Sequence, residues 1–261
     1  MTFSFSTSGQ NNEVSSSVNT LSVSALNIPS GALVVMWAKH EGSSSETITM
    51  SSGTDGAPDG YGTQINHSTA SLSGRFGYWL THSSNASETI TANFSGNVPY
   101  VRIAVMVFTH DGTAVYDTEA TNQGSSSPCD SGNLTTTGSG SEVVLGGSGE
   151  YTVGSWNSGY PDINGVDYDN IETMAEWCSL WSRIVSSTFT GVAGGNISSS
   201  GRWICNAVAF KEVAAGGGTN AQINIGDAWK SIAGMQINIG DAWKTVAGMQ
   251  VNIGDTWKTI F

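Results

Sequence analysis

The sequence predicts an all-β protein, in which a β-sandwich or jelly-roll domain is followed by a short array of three β-hairpin repeats. Short apolar runs alternate with clusters of Gly, Ser, Asn and Asp, a pattern typical of many strands joined by turns. Only 11% of the residues are charged while 38% are hydrophobic, which argues against a disordered chain. An eight-residue motif ending in Trp-Lys occurs three times near the end of the chain.

The first domain, residues 1–213, is expected to consist of short strands. Residues 32–38 and 103–108 are continuously apolar, which predicts central strands that are covered on both faces. Residues 47–50 and 88–94 alternate between polar and apolar, as half-buried strands do. A single helical turn near 171–176 is the only helix expected. The predicted strands are 2–7, 20–27, 32–40, 47–51, 75–82, 88–94, 100–110, 134–137, 142–146, 151–155, 178–188 and 202–213.

A Gly-rich linker, residues 214–220, precedes the three repeats in residues 221–261. The motif begins at Ile223, Ile237 and Val251, a constant step of fourteen residues. So short a step holds two brief strands and their turns, and the Gly-Asp pair within each motif suits a tight hairpin turn. Such a unit cannot bury an apolar face alone, so we expect copies to stack on each other or on other chains.

The repeats are therefore predicted to mediate oligomerisation or docking. We expect a homotrimer in which the apolar side chains point to the common axis. A row of tryptophan platforms for a ligand is the alternative, although a regular Trp ladder more often forms the shared core of a repeat array. The residues assigned to this role are Ile223, Ile225, Trp229, Ile237, Ile239, Trp243, Val251, Ile253 and Trp257.

Several segments resemble parts of known viral proteins. Residues 27–37 read Asn-Ile-Pro-Ser-Gly followed by an apolar strand, and 88–96, 100–108 and 203–211 continue the pattern. This resembles the Ser/Thr/Gly-rich β-sandwich modules of tailed-bacteriophage structural proteins and some bacterial surface proteins. The tandem Gly-x-x-Trp-Lys hairpins resemble repeats of phage tail, fibre and spike proteins. The resemblance covers most of the chain and implies a virion appendage: a head fibre, a decoration protein, or a tail fibre or spike.

Charge and hydropathy limit the classes of molecule that this protein is expected to bind. The net charge of -12 disfavours nucleic acid and anionic membranes. No apolar segment approaches the roughly 20 residues of a membrane-spanning helix, so no membrane insertion is expected. Residues 1–6 lack the features of a secretory signal. Assembly in the host cytoplasm onto a virion, with exposure on its surface, would explain this alongside an extracellular type of composition. Loss of a signal peptide during cloning would explain it equally well.

The histidines are the side chains suited to act as a base near neutral pH. His40 and His110 each close an apolar strand. They are expected either to meet at one end of the sandwich, as a metal or acid–base pair, or to be ordinary polar strand ends. No Gly-x-Ser-x-Gly elbow and no phosphate-binding glycine pattern occurs. The sequence therefore favours a protein that is not an enzyme.

One acidic stretch is a candidate cation site. Asp162, Asn164, Asp167 and Asp169 surround a Gly-containing turn, and their oxygen atoms are donors that Ca²⁺ prefers. The spacing is not that of an EF-hand loop, and an ordinary solvated acidic loop explains the same residues. No other cofactor is expected.

Three cysteines, Cys129, Cys178 and Cys205, are too few for a disulfide framework. Because Cys178 and Cys205 lie in apolar runs, we expect buried free thiols, and a cross-strand bridge between these two is the alternative.

Glycan binding is a weaker expectation, carried by aromatic residues beside Asn, Asp or Gly. Tyr61, Trp156 and Tyr160 fit this description, although chance aromatics would look the same. The leading hypothesis is thus a bacteriophage virion protein, homotrimeric, in contact with capsid or tail proteins and weakly adhesive to host surface glycans. The alternative is a carbohydrate-binding or cell-wall-binding adhesin module of a secreted bacterial protein.

Overall fold

The computed structural model describes residues 2–13, 15–42, 45–67, 69–151, 162–163, 166–173, 178–197 and 201–213, together with six short strands between 222 and 259. The chain forms two compact units, Met1–Val213 and Ala214–Phe261. The predicted all-β class is confirmed, since the described part contains strands and turns and no helix. Accordingly, no helix long and apolar enough to cross a bilayer occurs in it.

The described residues of the first unit form twenty strands. They are β1 Ser4–Glu13, β2 Val18–Ile28, β3 Ala32–Glu41, β4 Ile48–Ser52, β5 Gly60–Tyr61, β6 Ile65–Asn66, β7 Leu72–His82, β8 Asn85–Val98, β9 Val101–Thr109, β10 Thr113–Gly124, β11 Cys129–Asp130, β12 Leu134–Thr135, β13 Glu142–Tyr151, β14 Asp162–Ile163, β15 Val166–Asp167, β16 Asn170–Thr173, β17 Cys178–Val185, β18 Thr190–Gly191, β19 Ala193–Gly195 and β20 Arg202–Val213.

These strands form two β-sandwiches rather than one. In the first sandwich, an inner sheet in the order β1-β9-β3-β7-β5, with β6 beside β7, packs on an outer sheet β2-β8-β4. In the second, an inner sheet β10-β20-β13-β17-β16 packs on two small outer sheets, β11-β19-β14-β15 and β12-β18. The two inner sheets face each other, so the unit is a stack of four β layers with three apolar cores between them.

The two sandwiches share one topology. In the first, β1 pairs with β9, β9 with β3 and β3 with β7; in the second, β10, β20, β13 and β17 repeat this order. Each first strand bulges at the same place, just after Phe5 or Tyr116, and that aromatic residue pairs with Phe108 or Phe210. The packing is reciprocal as well, because β7 contacts β20 while β17 contacts β9. The arrangement is that of two related sandwiches packed face to face.

Burial on both faces explains the continuous apolar runs. Every residue of β3 is buried, and so is all of β9 except its last residue, which confirms the prediction of covered central strands. Strand β4 alternates as predicted for a half-buried strand, because one of its faces is exposed. The junction core between the inner sheets contains, among others, Trp37, Phe76, Met106, Leu145, Ile204 and Phe210.

Some sequence predictions were wrong in detail. The expected helical turn near 171–176 begins as strand β16, in which Ile171 pairs with Trp181; residues 174–176 lie outside the described part. The expected strands 142–146 and 151–155 are instead one strand, β13, which continues through Gly147 and Gly149; residues 152–155 also lie outside the described part. These glycines do not mark a turn. Because they lack a side chain, residues of the facing sheet can pack closely against this part of β13. The polar edge strand β10 was not predicted.

The second unit contains three hairpins, as predicted. They are β21 Gln222–Ile225 with β22 Ala228–Ser231, β23 Gln236–Ile239 with β24 Ala242–Thr245, and β25 Gln250–Ile253 with β26 Thr256–Thr259. The register is identical in all three. Two residues separate the paired ends Ile225 and Ala228, the loop length of the tightest hairpins.

Candidate functional site

The register of the hairpins separates two kinds of position. Directly opposed residues of an antiparallel pair share one face. Ile223 pairs with Lys230 and Ile225 with Ala228, whereas Trp229 pairs with Asn224 and belongs to the alternate face. The second and third hairpins repeat this, with Ile237, Ile239 and Trp243, then Val251, Ile253 and Trp257. Each repeat therefore assigns its aliphatic residues to one face and its tryptophan to the other.

Of the predicted glycan-binding aromatics, Tyr61 is the one within the described residues; Trp156 and Tyr160 lie outside them. The Tyr61 hydroxyl donates to the Met50 carbonyl at 3.2 Å and accepts from the Met50 amide at 3.0 Å. The Arg75 guanidinium carbon lies 4.2 Å from the centre of its ring. Tyr61 thus fastens β5 to β4, and Arg75 covers one ring face that a sugar would need.

The predicted calcium ligands are only partly described. Asp162 pairs with Asp167 across the β14–β15 hairpin, while Asn164 lies outside the described residues. Asp169 accepts a hydrogen bond from the Ile184 amide at 2.7 Å, so part of its coordinating capacity is already used. Among the described residues, no group of three or more His, Cys, Asp or Glu side chains is arranged to hold a metal ion.

Of the two alternatives for His40 and His110, a meeting at one end of the sandwich does not occur. Strands β3 and β9 are antiparallel neighbours, with Lys39 opposite Arg102. Their carboxyl ends therefore lie at opposite ends of the sheet along the strand direction. His40 is buried against Phe94, and burial lowers its pKa. Each of the two residues follows an apolar run, and the antiparallel pairing of these runs separates them.

A series of neighbouring polar side chains that the sequence did not reveal comprises Ser52, His82 and Asp55. Ser52 Oγ lies 2.8 Å from His82 Nε2, and His82 Nδ1 lies 3.1 Å from Asp55 Oδ2 while its hydrogen bond goes to the Ser83 carbonyl at 2.6 Å. This is the order of groups in serine-hydrolase triads. However, Ser52 is buried, and its Oγ accepts the amides of Thr54 and Asp55 at 3.1 and 3.0 Å. Both of its lone pairs are then engaged, so this geometry fastens a turn instead of presenting a nucleophile.

Glu88 completes this turn. Its carboxylate is buried and accepts the Gly53 amide at 2.7 Å, the Thr54 amide at 3.2 Å and the Asn85 side-chain amide at 2.8 Å. Burial alone would raise the pKa of Glu88, but the hydrogen bonds from Thr54 and Asn85 outweigh it and leave the pKa below its ordinary value. The turn after β4 is thereby tied to β8 as well as to β7.

Buried charges occupy the junction between the two sandwiches. Lys39 is fully buried, and its Nζ donates to Glu41 Oε1 and lies 3.5 Å from the Glu150 carbonyl of the second sandwich. Arg102 Nη1 lies 3.6 Å from the same Glu41 oxygen. Burial lowers the pKa of Lys39, although Glu41 opposes this, and burial raises the pKa of Glu150 to about 8. Glu41 therefore links two buried cations.

A cleft of about 330 Å³ opens beside Glu41, and we call it the junction cleft. Both sandwiches contribute to it: the first through the end of β3 and the turns before β7 and β9, the second through the ends of β13 and β20. Its lining residues are Glu41, Gly42, Thr69, Ala70, Ser71, Pro99, Tyr100, Tyr151 and Arg202. These residues are far apart in the sequence, so no local sequence motif predicts the cleft.

All three cysteines are buried and free, as was expected for Cys178 and Cys205. Cys178 packs in the junction core, whereas Cys205 packs with Cys129 on the other side of the second inner sheet. The alternative of a Cys178–Cys205 bridge is therefore wrong, because the two side chains point to opposite faces of one sheet. Cys205 Sγ instead donates to the Ala193 carbonyl at 3.3 Å.

Comparisons with protein-family models, with curated proteins and with solved structures yield no match for this chain.

Proposed function

We propose that this chain is a non-enzymatic structural protein of a bacteriophage virion, exposed on the particle as a fibre or decoration and assembled as a homotrimer through its hairpin repeats. The observation that carries the proposal is the pairing of the hairpins. Each forms a two-stranded sheet of four-residue strands, and none of these six strands pairs with another described strand outside its own hairpin.

Such hairpins need further packing to be stable. An isolated two-stranded hairpin is at best marginally stable in water, because it buries little apolar area. Each repeat nevertheless carries two aliphatic residues and one tryptophan in a strictly repeated register. Repetition of this kind is the signature of units that complete their core against neighbouring copies.

The two faces of each hairpin suit different contacts. Positions such as Ile223 and Ile225 suit a packed interior, while the face of Trp229 and Asn224 combines an apolar ring with a polar amide. In a trimer, one face would line the axis and the other would contact capsid or tail proteins of the particle. A closed trimer would also pair or cover the hairpin edges, which otherwise present unpaired backbone groups.

In this proposal the first unit is displayed outward and adheres weakly to host glycans. Its four β layers and three apolar cores make it a compact unit with a core of its own. Weak binding by many copies on one particle would give strong overall attachment through avidity. The low fraction of charged residues and the abundance of Gly suit a surface built from strands and turns.

Sedimentation velocity at micromolar concentration tests the assembly. We expect a trimer for the full chain and a monomer for a chain that ends at Val213. A full-length variant with Ile225, Ile239 and Ile253 replaced by asparagine should dissociate, because these positions belong to the face that suits a packed interior. A matched variant with Asn224, Asn238 and Asn252 replaced by serine, on the opposite face, should remain trimeric. A monomeric full chain would rule out the homotrimer.

Purified particles test the virion assignment. Mass spectrometry of particles from the lysate should detect this chain at a fixed ratio to the capsid protein, and antibodies against the first unit should label the particle surface. Neighbouring genes for capsid and tail proteins would agree with this. If the chain is absent from particles and its gene adjoins hydrolase domains, the adhesin alternative is correct instead.

A further inference from the structure

The junction cleft lies where equivalent parts of the two sandwiches meet. Glu41 ends β3 and Tyr151 ends β13, which are equivalent strands; Tyr100 precedes β9 and Arg202 begins β20, which are also equivalent. Tyr151 and Arg202 are directly opposed in the second inner sheet. Ligand sites occur preferentially at such junctions between domains, and a volume of about 330 Å³ suits a small ligand.

Positive charge is concentrated at this cleft, although the protein is acidic overall. The sequence has six lysines and arginines in residues 1–213, and three of them, Lys39, Arg102 and Arg202, lie in the cleft or directly beneath it. The buried side chains of Lys39 and Arg102 both approach the carboxylate of Glu41, and the buried Glu150 adjoins Lys39. The Arg202 side chain is exposed and makes no hydrogen bond or ion pair with another described side chain. An anionic group would therefore find a partner here.

The rim of the cleft holds an exposed aromatic ring in an uncommon backbone conformation. Tyr100 is 42% exposed and has a φ of 51°. Ser71, also on the rim and exposed, has a φ of 47°. Only one other described residue besides glycine, Ala25, has a positive φ. Left-handed conformations of such residues concentrate at binding sites, where the surrounding structure holds them in place.

We propose that the junction cleft binds a sugar that carries a carboxylate, such as a hexuronic acid residue of a host surface polysaccharide. The Arg202 guanidinium pairs with the sugar carboxylate, the Tyr100 ring stacks on the apolar face of the pyranose, and the Ser71 hydroxyl and the Glu41 carboxylate bond its hydroxyl groups. This inference rests on the adhesive part of the proposed function and names its ligand.

The chemistry of the cleft favours this ligand over others. A neutral sugar would leave Arg202 without a counter-charge. A polyphosphate would bring several negative charges near the carboxylate of Glu41, whereas a hexuronic acid brings only the one that Arg202 pairs with. A planar guanidinium matches a carboxylate with two parallel hydrogen bonds. Tyr100 supplies the flat apolar surface that a pyranose ring needs and that a simple anion does not use.

Calorimetric titration of the full chain with digalacturonate tests the proposal. The matched neutral probe is the methyl ester of the same disaccharide, and galactose 6-phosphate distinguishes a carboxylate site from a general anion site. We expect saturable binding of digalacturonate, at least roughly tenfold weaker binding of the ester because the charge-assisted hydrogen bonds are lost, and no comparable binding of the phosphate.

Variants connect the binding to the named residues. Arg202→Gln should weaken digalacturonate binding at least roughly tenfold. Tyr100→Asn should weaken binding too, and it retains the backbone because asparagine tolerates a positive φ. Arg183→Gln, which removes the same charge from β17 outside the cleft, should leave the affinity unchanged. Equal affinity for acid and ester, equal loss in Arg202→Gln and Arg183→Gln, or no binding at millimolar ligand would each overturn the proposal.

This test is independent of assembly. The probe is monovalent and the cleft lies within one chain, so a monomeric full chain would contradict the homotrimer while leaving the binding result intact. Conversely, a trimer that binds no digalacturonate would retain the assembly proposal and refute the sugar site.

Discussion

Trp37 of the first sandwich packs directly against Gly147 of the second. A Cβ atom at Gly147 would lie 2.6 Å from Trp37 Cδ2, and a Cβ atom at Gly74 would lie 2.4 Å from Trp37 Cη2, so the indole requires both glycines. Trp37 Nε1 donates to the Ser148 carbonyl at 3.1 Å. One side chain thereby contributes packing and a hydrogen bond to the junction that aligns the two related sandwiches.

Replacing Gly147 with alanine should therefore destabilise the protein. The added methyl group overlaps the buried indole, and overpacking of a tight core typically costs about 1–3 kcal/mol of unfolding free energy. Urea unfolding, followed by tryptophan fluorescence, measures this. Gly140→Ala is the matched control, because no atom lies within 4 Å of its Cβ position. Equal stability of the two variants would contradict the close packing at the junction.

Glu150→Gln should change how stability depends on pH. Burial raises the folded-state pKa of Glu150 to about 8 from an ordinary 4.5, so the folded chain holds a proton that the unfolded chain releases. The contribution of the Glu150 proton to the free energy of unfolding is fully present below about pH 4.5, and it is lost as the pH rises towards 8. Between these two pH values, the free energy of unfolding decreases by at most about 1.4 kcal/mol per pH unit because of this group.

Urea unfolding at several pH values between 5 and 8 checks this prediction. The glutamine variant lacks the titrating group, so its stability relative to the natural chain should increase with pH. Glu13→Gln is the control, because Glu13 is only partly buried and its hydrogen bonds to Ser15 lower its pKa. Parallel pH profiles for the natural chain and Glu150→Gln would show that Glu150 does not titrate in this range.

The three thiols should be unreactive in the folded protein. Each cysteine is fully buried, and burial raises the pKa of Cys178 to about 11. Burial, reinforced by Cys205, also raises the pKa of Cys129 well above its ordinary value. Since the thiolate is the reactive species, a disulfide reagent at pH 8 should modify no cysteine until denaturant is added, and then three per chain. Rapid labelling without denaturant would contradict the burial.

The sequence predicted those features of the fold that depend on local pattern. The covered strands were visible because β3 and β9 are apolar along nearly their whole length. The hairpins were visible because their turn residues and spacing repeat. Strand β10 was missed because an edge strand with one solvated face can be polar, and only its pairing with β20 reveals it.

The duplication and the junction cleft could not be read from the sequence for a different reason. The related positions, such as Phe5 and Tyr116, are equivalent in register and bulge although their neighbours differ in identity. Residues of the cleft, from Glu41 to Arg202, come together only through the packing of the two inner sheets. Tyr61 was a candidate for glycan binding in the sequence. Its hydrogen bonds with Met50 could not be foreseen, because they depend on the positions of strands that are separate in the sequence.

Replacing Ser52 with alanine decides between a structural and a catalytic role for the Ser52–His82–Asp55 series. Ser52 Oγ accepts two backbone amides and lies within hydrogen-bond distance of His82 and Glu88. Its removal leaves buried polar groups without partners, which costs about 1–3 kcal/mol for each such group. We therefore expect a loss of stability in urea unfolding and no change in hydrolysis of an activated ester. Thr81→Ala, at an exposed neighbouring position, should affect neither measurement. Unchanged stability together with loss of an ester-hydrolysing activity in the serine variant would instead identify Ser52 as a nucleophile and would overturn the non-enzymatic assignment.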